Sequence, residues 1–444
     1  MFDETETQPT AVPSRAKQVG DALGRWSWVE PSVWTERMLT ALETGVKGGK
    51  WFSLIDKVHH LTTLYAAFRK VAANKGAAGV DHVAIAMFEA RLDENVRKLH
   101  DDLRAGTYQP QAIRRHYIPK PGTQETRPLG IPTVRDRVVQ TALRMVLEPI
   151  FEHDFAEHSY GFRPDLGCKD ALRRVEHLLK EGYVFIVDAD LKSYFDTIPH
   201  ENLMALTGQK VSDGKVLSLI EGFLKQAVLD ELHEWVPTSG SPQGAVISPL
   251  LSNIYLNPLD HLMAQEGFEM VRYADDLVIL CRTPEDAARA LERLQQWTAS
   301  AGLTLHPTKT RVVDARTTGF EFLGYRFEDG TRRPRSKSLE KFKSAIRAKT
   351  KRNSGQSLPK IIASTNGTLR GWFEYFKHSH QWTFPPLDRW IRRRLRSLLR
   401  RRAGLHGISR GPADSYRWPN AFFTEYGLFN LSTAHALARQ SSRR

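Results

Sequence analysis

The sequence predicts an α+β fold followed by a basic, helical C-terminal unit. Three observations carry this. Strand-like runs such as "YVFIVDADL" (183–191) and "FEMVRYADDLVILCR" (268–282) lie between amphipathic helical stretches, without regular βαβ alternation. Both runs are interrupted by carboxylates. Residues 331–402 hold 21 Lys and Arg against three acidic residues, a net +18; the chain as a whole is +14, so the remainder sums to −4.

At 444 residues the chain has room for two to four domains. Residues 1–50 read as an N-terminal extension, its first 18 or so polar, rich in Thr, Pro and Glu, and disordered. Over 51–112, Leu54, Val58, Leu61 and Leu64, then Phe88, Leu92, Val96 and Leu99, recur at helical spacing around a Gly-rich turn at 74–81. A mixed α/β region follows at 113–328. It opens with "IRRHYIPKPG", a hairpin pattern with a Pro-Gly turn, and continues with a helix through Val138, Ala142, Met145, Val146 and Ile150. The strand at 183–191 precedes the helical "LTGQKVSDGKVLSLIEGFL", and residues 268–282 read as two strands meeting at Ala274-Asp275.

From 329 to 405 the apolar stripes Leu339, Phe342, Ile346; Leu369, Trp372, Phe373, Phe376; and Leu387, Trp390, Ile391, Leu395, Leu398 predict helices with one apolar and one cationic face. Helical spacing marks those aromatics as packing residues. Residues 406–444 remain as a tail, expected to pack on this unit or contact DNA.

Focused positive charge points to a polyanionic partner, with nucleic acid foremost. Cys168 and Cys281 are the only cysteines, which excludes a disulfide framework and a multi-Cys zinc module. With no apolar leader and no run near ~18 apolar residues, no membrane association and a cytoplasmic location are expected.

Adjacent Asp275 and Asp276 cost repulsion and desolvation unless a cation relieves them. Arg272 is the neighbouring candidate for a structural ion pair. A divalent metal is the alternative, favoured because Asp188 and Asp190 interrupt a second strand on one shared face. Strands ending in carboxylates, laid side by side, offer the oxygen ligands that Mg²⁺ takes. Two such ions clamp the attacking and leaving oxygens of an in-line phosphoryl displacement.

The elements "YIPKPGTQETRPLGIPTVRDRVVQ", "SYGFRPDLGCKDAL", "DADLKSYFDTIPH", "GSPQGAVISPLLSNIYL", "RYADDLVIL", "GLTLHPTKT", "FLGYRF" and "NGTLRGWFEYF" follow "GVD" in order. From about Gly76 to its end the chain resembles the bacterial group II intron-encoded reverse transcriptase/maturases, in the form without a C-terminal HNH endonuclease. That resemblance implies a right-hand polymerase of fingers, palm and thumb, with an antiparallel palm sheet and a helical thumb/maturase domain. It implies Asp190, Asp275 and Asp276 as catalytic carboxylates, with two Mg²⁺ held by them and the Leu191 carbonyl, Asp276 more peripherally.

For nucleotide binding it implies Lys120 and Arg127 on the triphosphate, where the alternative is an ordinary charged hairpin. Phe195 would exclude the 2′-OH, the alternative being a core Phe; Gln243 would contact nucleotide or template, and Lys309 would approach the pyrophosphate. Asp196 is read as capping the following turn. RNA contacts are expected from Arg347, Lys351, Arg352, Arg370, Arg392, Arg393 and Arg396. The implied partners are group II intron RNA, a template–primer duplex, target DNA and dNTPs, in a bacterial ribonucleoprotein near the nucleoid. Ala245 departs from the usual Gly after "PQG", with little effect expected. The alternatives are a reverse transcriptase recruited to phage defence or diversity generation, and a splicing factor without polymerase activity.

Overall fold

The computed structural model describes residues 22–46, 48–119, 126–231, 233–409 and 411–441. The expectations for residues 1–18 and for Lys120 lie outside the described residues.

Helix Val134–Glu152 forms the centre. The Thr133 hydroxyl caps it, accepting from the Asp136 amide at 3.1 Å. It is buried on nearly every side: Val138, Val139, Ala142, Leu143, Val146 and Leu147 are fully enclosed, and so are Asp136 and Gln140, which accept from the Tyr108 hydroxyl and the Val246 amide. Residues 22–46, read as part of an extension, belong to the main core. Trp26, Val29, Val33, Trp34 and Leu42 join the same core, and the Trp34 indole donates to the Met145 carbonyl at 3.0 Å. Each buried indole removes roughly 150–250 Å² from water, which lets a segment with few aliphatic residues dock.

Strands β1 (Ile113–Pro119) and β2 (Thr126–Ile131) form an antiparallel hairpin, and β3 (Phe185–Asp190) lies inside a second sheet. Strands β4 (Val228–Asp230) and β5 (His233–Trp235) extend the first sheet in the order β2-β1-β4-β5. Strands β6 (Glu269–Tyr273), β7 (Asp276–Cys281) and β8 (Arg311–Asp314) complete the second, which is antiparallel with order β6-β7-β3-β8. A small third sheet joins β9 (Phe320–Phe322), β10 (Tyr325–Glu328) and β11 (Thr331–Pro334).

The two-residue alternation of the second sheet separates two cores. Val187, Ala189, Leu277 and Ile279 belong to the main core, which also takes in helices Ser248–Gln265 and Pro284–Ser300. Ile186, Val271, Val278 and Leu280 face helix Cys168–Lys180 and the third sheet.

Two domain boundaries move. Asp329 and Gly330, both at positive φ, are the two-residue turn of the β10–β11 hairpin, so a border at 329 cuts through a sheet. Helices begin at Ser336, with Ser336–Lys349, Leu358–Phe376 and Phe384–Arg402 packed through Phe342, Ile346, Ile361, Leu369, Ile391 and Leu395. Residues read as a tail share this core: Phe423 and Leu431 are buried in it. Asp388 accepts from the Leu431 and Ser432 amides at 3.0 and 2.9 Å, capping helix Leu431–Ser441. Among the described residues no helix is long and apolar enough to cross a membrane.

Candidate active site

The register of β3 against β7 sets Asp190 directly opposite Asp276, a relation that puts Cα atoms about 5 Å apart. Asp275 stands in the turn between β6 and β7, after Ala274 at φ 58°. Burial holds the Asp275 carboxyl above the usual range; Asp190 adds to this, while Arg127 and Arg272 oppose it. Asp276 is pushed up to about 6 by burial, then by repulsion from Asp275 and Asp190. The Asp276 side chain itself reaches solvent at the strand end. Arg335, which the motifs did not single out, moderates the upward shift.

The relief of this charge differs from the sequence reading. Alternation sends Arg272 to the opposite face of the sheet from Tyr273, where it is fully buried and paired with Asp260. The cations that pair with Asp188 and Asp190 come from the segment around β8. Arg311 lies opposite Asp188, at 3.5 Å from its carboxylate, and two residues earlier Lys309 Nζ reaches Asp190 Oδ2 at 2.6 Å. The signal was present as matching spacing: Asp188 and Asp190 are two apart, as are Lys309 and Arg311.

Among the described residues no group of three His, Cys, Asp or Glu closes into a metal shell. The donors still suit a hard divalent ion: Asp190 and Asp276 stand opposite each other, Asp275 and Asp190 both repel Asp276, and an ammonium already stands on Asp190 as a cation. Leu191 is buried immediately after Asp190.

Arg127 and Gln243, distant in sequence, meet: Arg127 Nε donates to Gln243 Oε1 at 2.9 Å, and the Gly130 amide donates to the Gln243 carbonyl at 2.6 Å. Gly244 makes this approach feasible. At φ +105°, a Cβ there would lie 2.4 Å from the Gly130 oxygen, whereas Ala245 is not at positive φ. Phe195, 8% exposed, and Gln243 line one cavity of about 200 Å³ with Ile113, Gly240, Ser241 and Pro242. Asp196, read as a cap, lines the same cavity in the field of Arg115 and Arg127.

On the C-terminal unit, Lys351, Arg370, Arg393 and Arg347 are exposed, and Arg392 is half-buried. Arg347 and Arg394 sit over the Trp390 ring at 5.8 and 5.5 Å. Arg352 donates to the Gly407 carbonyl at 2.6 Å. Arg396 is a correction: it is 8% exposed and donates to the Trp418 carbonyl and Asn420 Oδ1 at 2.9 and 2.8 Å. It faces inward because residues 411–441, within the tail (406–444) expected to pack on this unit or contact DNA, do pack over that side of the helix.

Residues 118–327 match the family described as reverse transcriptase (RNA-dependent DNA polymerase), and residues 339–411 match the group II intron maturase-specific domain. Protein YkfC of Escherichia coli (strain K12) is 33% identical over 345 residues, covering 68% of this chain and 86% of YkfC. The chain belongs to the group II intron reverse transcriptase/maturase family. The group II intron-encoded protein LtrA of Lactococcus lactis subsp. cremoris is 38% identical over 224 residues, half of this chain and 36% of LtrA. An uncharacterized 91 kDa protein in a cob intron of Schizosaccharomyces pombe is 32% identical over 257 residues, 45% of this chain and 32% of that protein. Thus the chain spans most of YkfC but about a third of the other two. In this reverse transcriptase/maturase the Asp190–Asp276 pair, the Arg127–Gln243 contact and the β9–β11 sheet all fall within or at the edge of the reverse transcriptase match.

Proposed function

We propose that this reverse transcriptase/maturase binds the group II intron RNA to assist splicing and copies it into cDNA during retrohoming, by two-metal-ion nucleotidyl transfer. The observation that carries the chemistry is Asp190 opposite Asp276, with Asp275 presented by the adjoining turn. In this reading the β1–β2 hairpin and neighbouring helices are fingers, the second sheet is the palm, and the helices from Ser336 are the thumb and maturase surface.

Asp190, Asp275 and the Leu191 carbonyl would hold two Mg²⁺ ions, with Asp276 at their edge; when bound, these ions stabilise charge on the attacking and leaving oxygens. Arg127, already docked on Gln243, turns its guanidinium to the triphosphate, with Lys120 as its partner. Phe195 walls the sugar and excludes a 2′-OH. Lys309, which pairs with Asp190, would be freed by a cation on that carboxylate to approach the pyrophosphate. The exposed Arg347, Lys351, Arg370 and Arg393, with Arg352 and Arg392, bind RNA through phosphate and 2′-OH groups. The same surface serves a template–primer duplex and target DNA, in the cytoplasm of a bacterial cell.

The test is Asp275→Asn in the full chain. Mg²⁺-dependent primer extension on an RNA template should fall at least a thousandfold, while intron RNA affinity stays within twofold. Near-normal extension would end the metal reading.

A further inference from the structure

We propose that Arg272 is a positioning residue: through the Ala274 carbonyl it holds the turn that presents Asp275 and Asp276, and it is itself held by Asp260, Asn253 and Ser159. The proposal rests on the reading of Asp275 as a metal-bearing carboxylate.

The guanidinium is 0% exposed, and each of its five N–H groups has an acceptor. Nε donates to Asp260 Oδ1 at 2.7 Å and Nη2 to the other Asp260 oxygen. Nη2 also donates to Ser159 Oγ at 2.6 Å. Nη1 donates to Asn253 Oδ1 at 3.0 Å and to the Ala274 carbonyl at 2.9 Å. That last bond crosses to the turn. Ala274, 5% exposed, sits at φ 58°, a conformation an L-residue avoids because its Cβ crowds the next carbonyl. Fixing its carbonyl fixes the 274–275 peptide, and with it the direction in which Asp275 leaves the chain.

The opposite wall is built as tightly. A Cβ on Gly161 would stand 2.1 Å from the Ala274 amide nitrogen, so the 158–161 backbone abuts the turn. Asn253 donates to the Gly161 carbonyl at 2.8 Å while accepting from Arg272, which ties both walls to one side chain. A buried ion pair is seldom the most stable filling for an interior. Orientation of a strained catalytic turn gives this one a purpose.

Two variants separate orientation from packing. Arg272→Lys keeps a charge for Asp260, but one ammonium cannot serve four acceptor groups. Arg272→Met with Asp260→Leu removes both charges together and leaves no ion unpaired inside. For the full chain, kcat and dNTP KM are measured by primer extension, and Mn²⁺ affinity by paramagnetic resonance without nucleic acid.

Both variants should lose tenfold or more in kcat and threefold or more in Mn²⁺ affinity, with dNTP KM within twofold. Adding Ala274→Gly, which accepts positive φ unaided, should restore threefold or more of the kcat. A packing role predicts no such recovery, because glycine adds no contact. Wild-type kcat and Mn²⁺ affinity in either variant overturns the proposal, as does a loss that Ala274→Gly leaves untouched. Asp275→Asn alongside isolates the metal reading: Mn²⁺ binding that survives it defeats that reading, while the glycine recovery of kcat still reports on the clamp.

Discussion

Lys309 Nζ lies 2.6 Å from Asp190 Oδ2, so the register that pairs Arg311 with Asp188 also sets a protein cation on a proposed metal ligand. A metal held by Asp190, as proposed above, would compete with this ammonium for one carboxylate. An ion pair with this much solvent access is worth ~0.2–1 kcal/mol. Lys309→Ala should tighten Mn²⁺ binding by up to about fivefold in the absence of nucleotide, and lower kcat. Unchanged affinity in a Mn²⁺ titration would show that the pair does not guard the site.

Asp276 supplies a pH test. Its carboxyl is pushed up to about 6 in the folded state from an ordinary 3.8. Between those values the folded protein retains a proton that the unfolded chain has lost, so this group's contribution to stability falls as pH rises through about 6. Without divalent metal, Asp276→Asn should raise Tm at pH 7.5. The gain should shrink below pH 6 and vanish near pH 4. A gain that is constant with pH would mean altered packing rather than relieved charge.

Phe195 joins the core and also lines the cavity beside Gln243. Phe195→Ala should admit ribonucleotides, lowering the preference for dNTP over rNTP by tenfold or more. Loss of ring burial also costs about 3 kcal/mol, so the ratio of incorporation rates is the measurement, not the rate alone. An unchanged ratio in an active variant would assign the ring to packing only.

The arginines of the C-terminal unit divide by orientation. Each phosphate contact to single-stranded RNA contributes about −0.7 to the slope of log K against log salt. Arg347→Gln with Arg393→Gln removes two exposed charges, so the slope for intron RNA should become shallower by about 1.4. Arg396→Gln should leave the slope unchanged and lower stability by about 1–3 kcal/mol, because it loses buried bonds to Trp418 and Asn420. Parallel salt lines for the double variant and wild type would remove Arg347 and Arg393 from the interface.

Much of the site is local pattern. Alternation in "FIVDADL" and "RYADDLVIL" already put Asp188 and Asp190 on one strand face and Asp275-Asp276 at a strand junction. Period and side are properties of a few consecutive residues, as are the helical stripes through Phe342, Leu369 and Ile391 and the focused charge of residues 331–402.

Partnership between distant segments is a different kind of information. Arg272 stands three residues from Asp275 in sequence but belongs to Asp260, because its strand turns it to the other face. Lys309, more than a hundred residues from Asp190, is the cation that reaches it. Arg127 meets Gln243, and Arg396 turns inward beneath the final helices, through contacts that no local period encodes. The sequence by itself determined the carboxylates, the strands and helices that bear them, and where the positive charge is concentrated. Only the tertiary structure decided which cation faces which carboxylate and which arginines face solvent. Inter-strand register and helix rotation are set by the packing of whole apolar faces, and a side chain's neighbours follow from that packing rather than from its place in the chain.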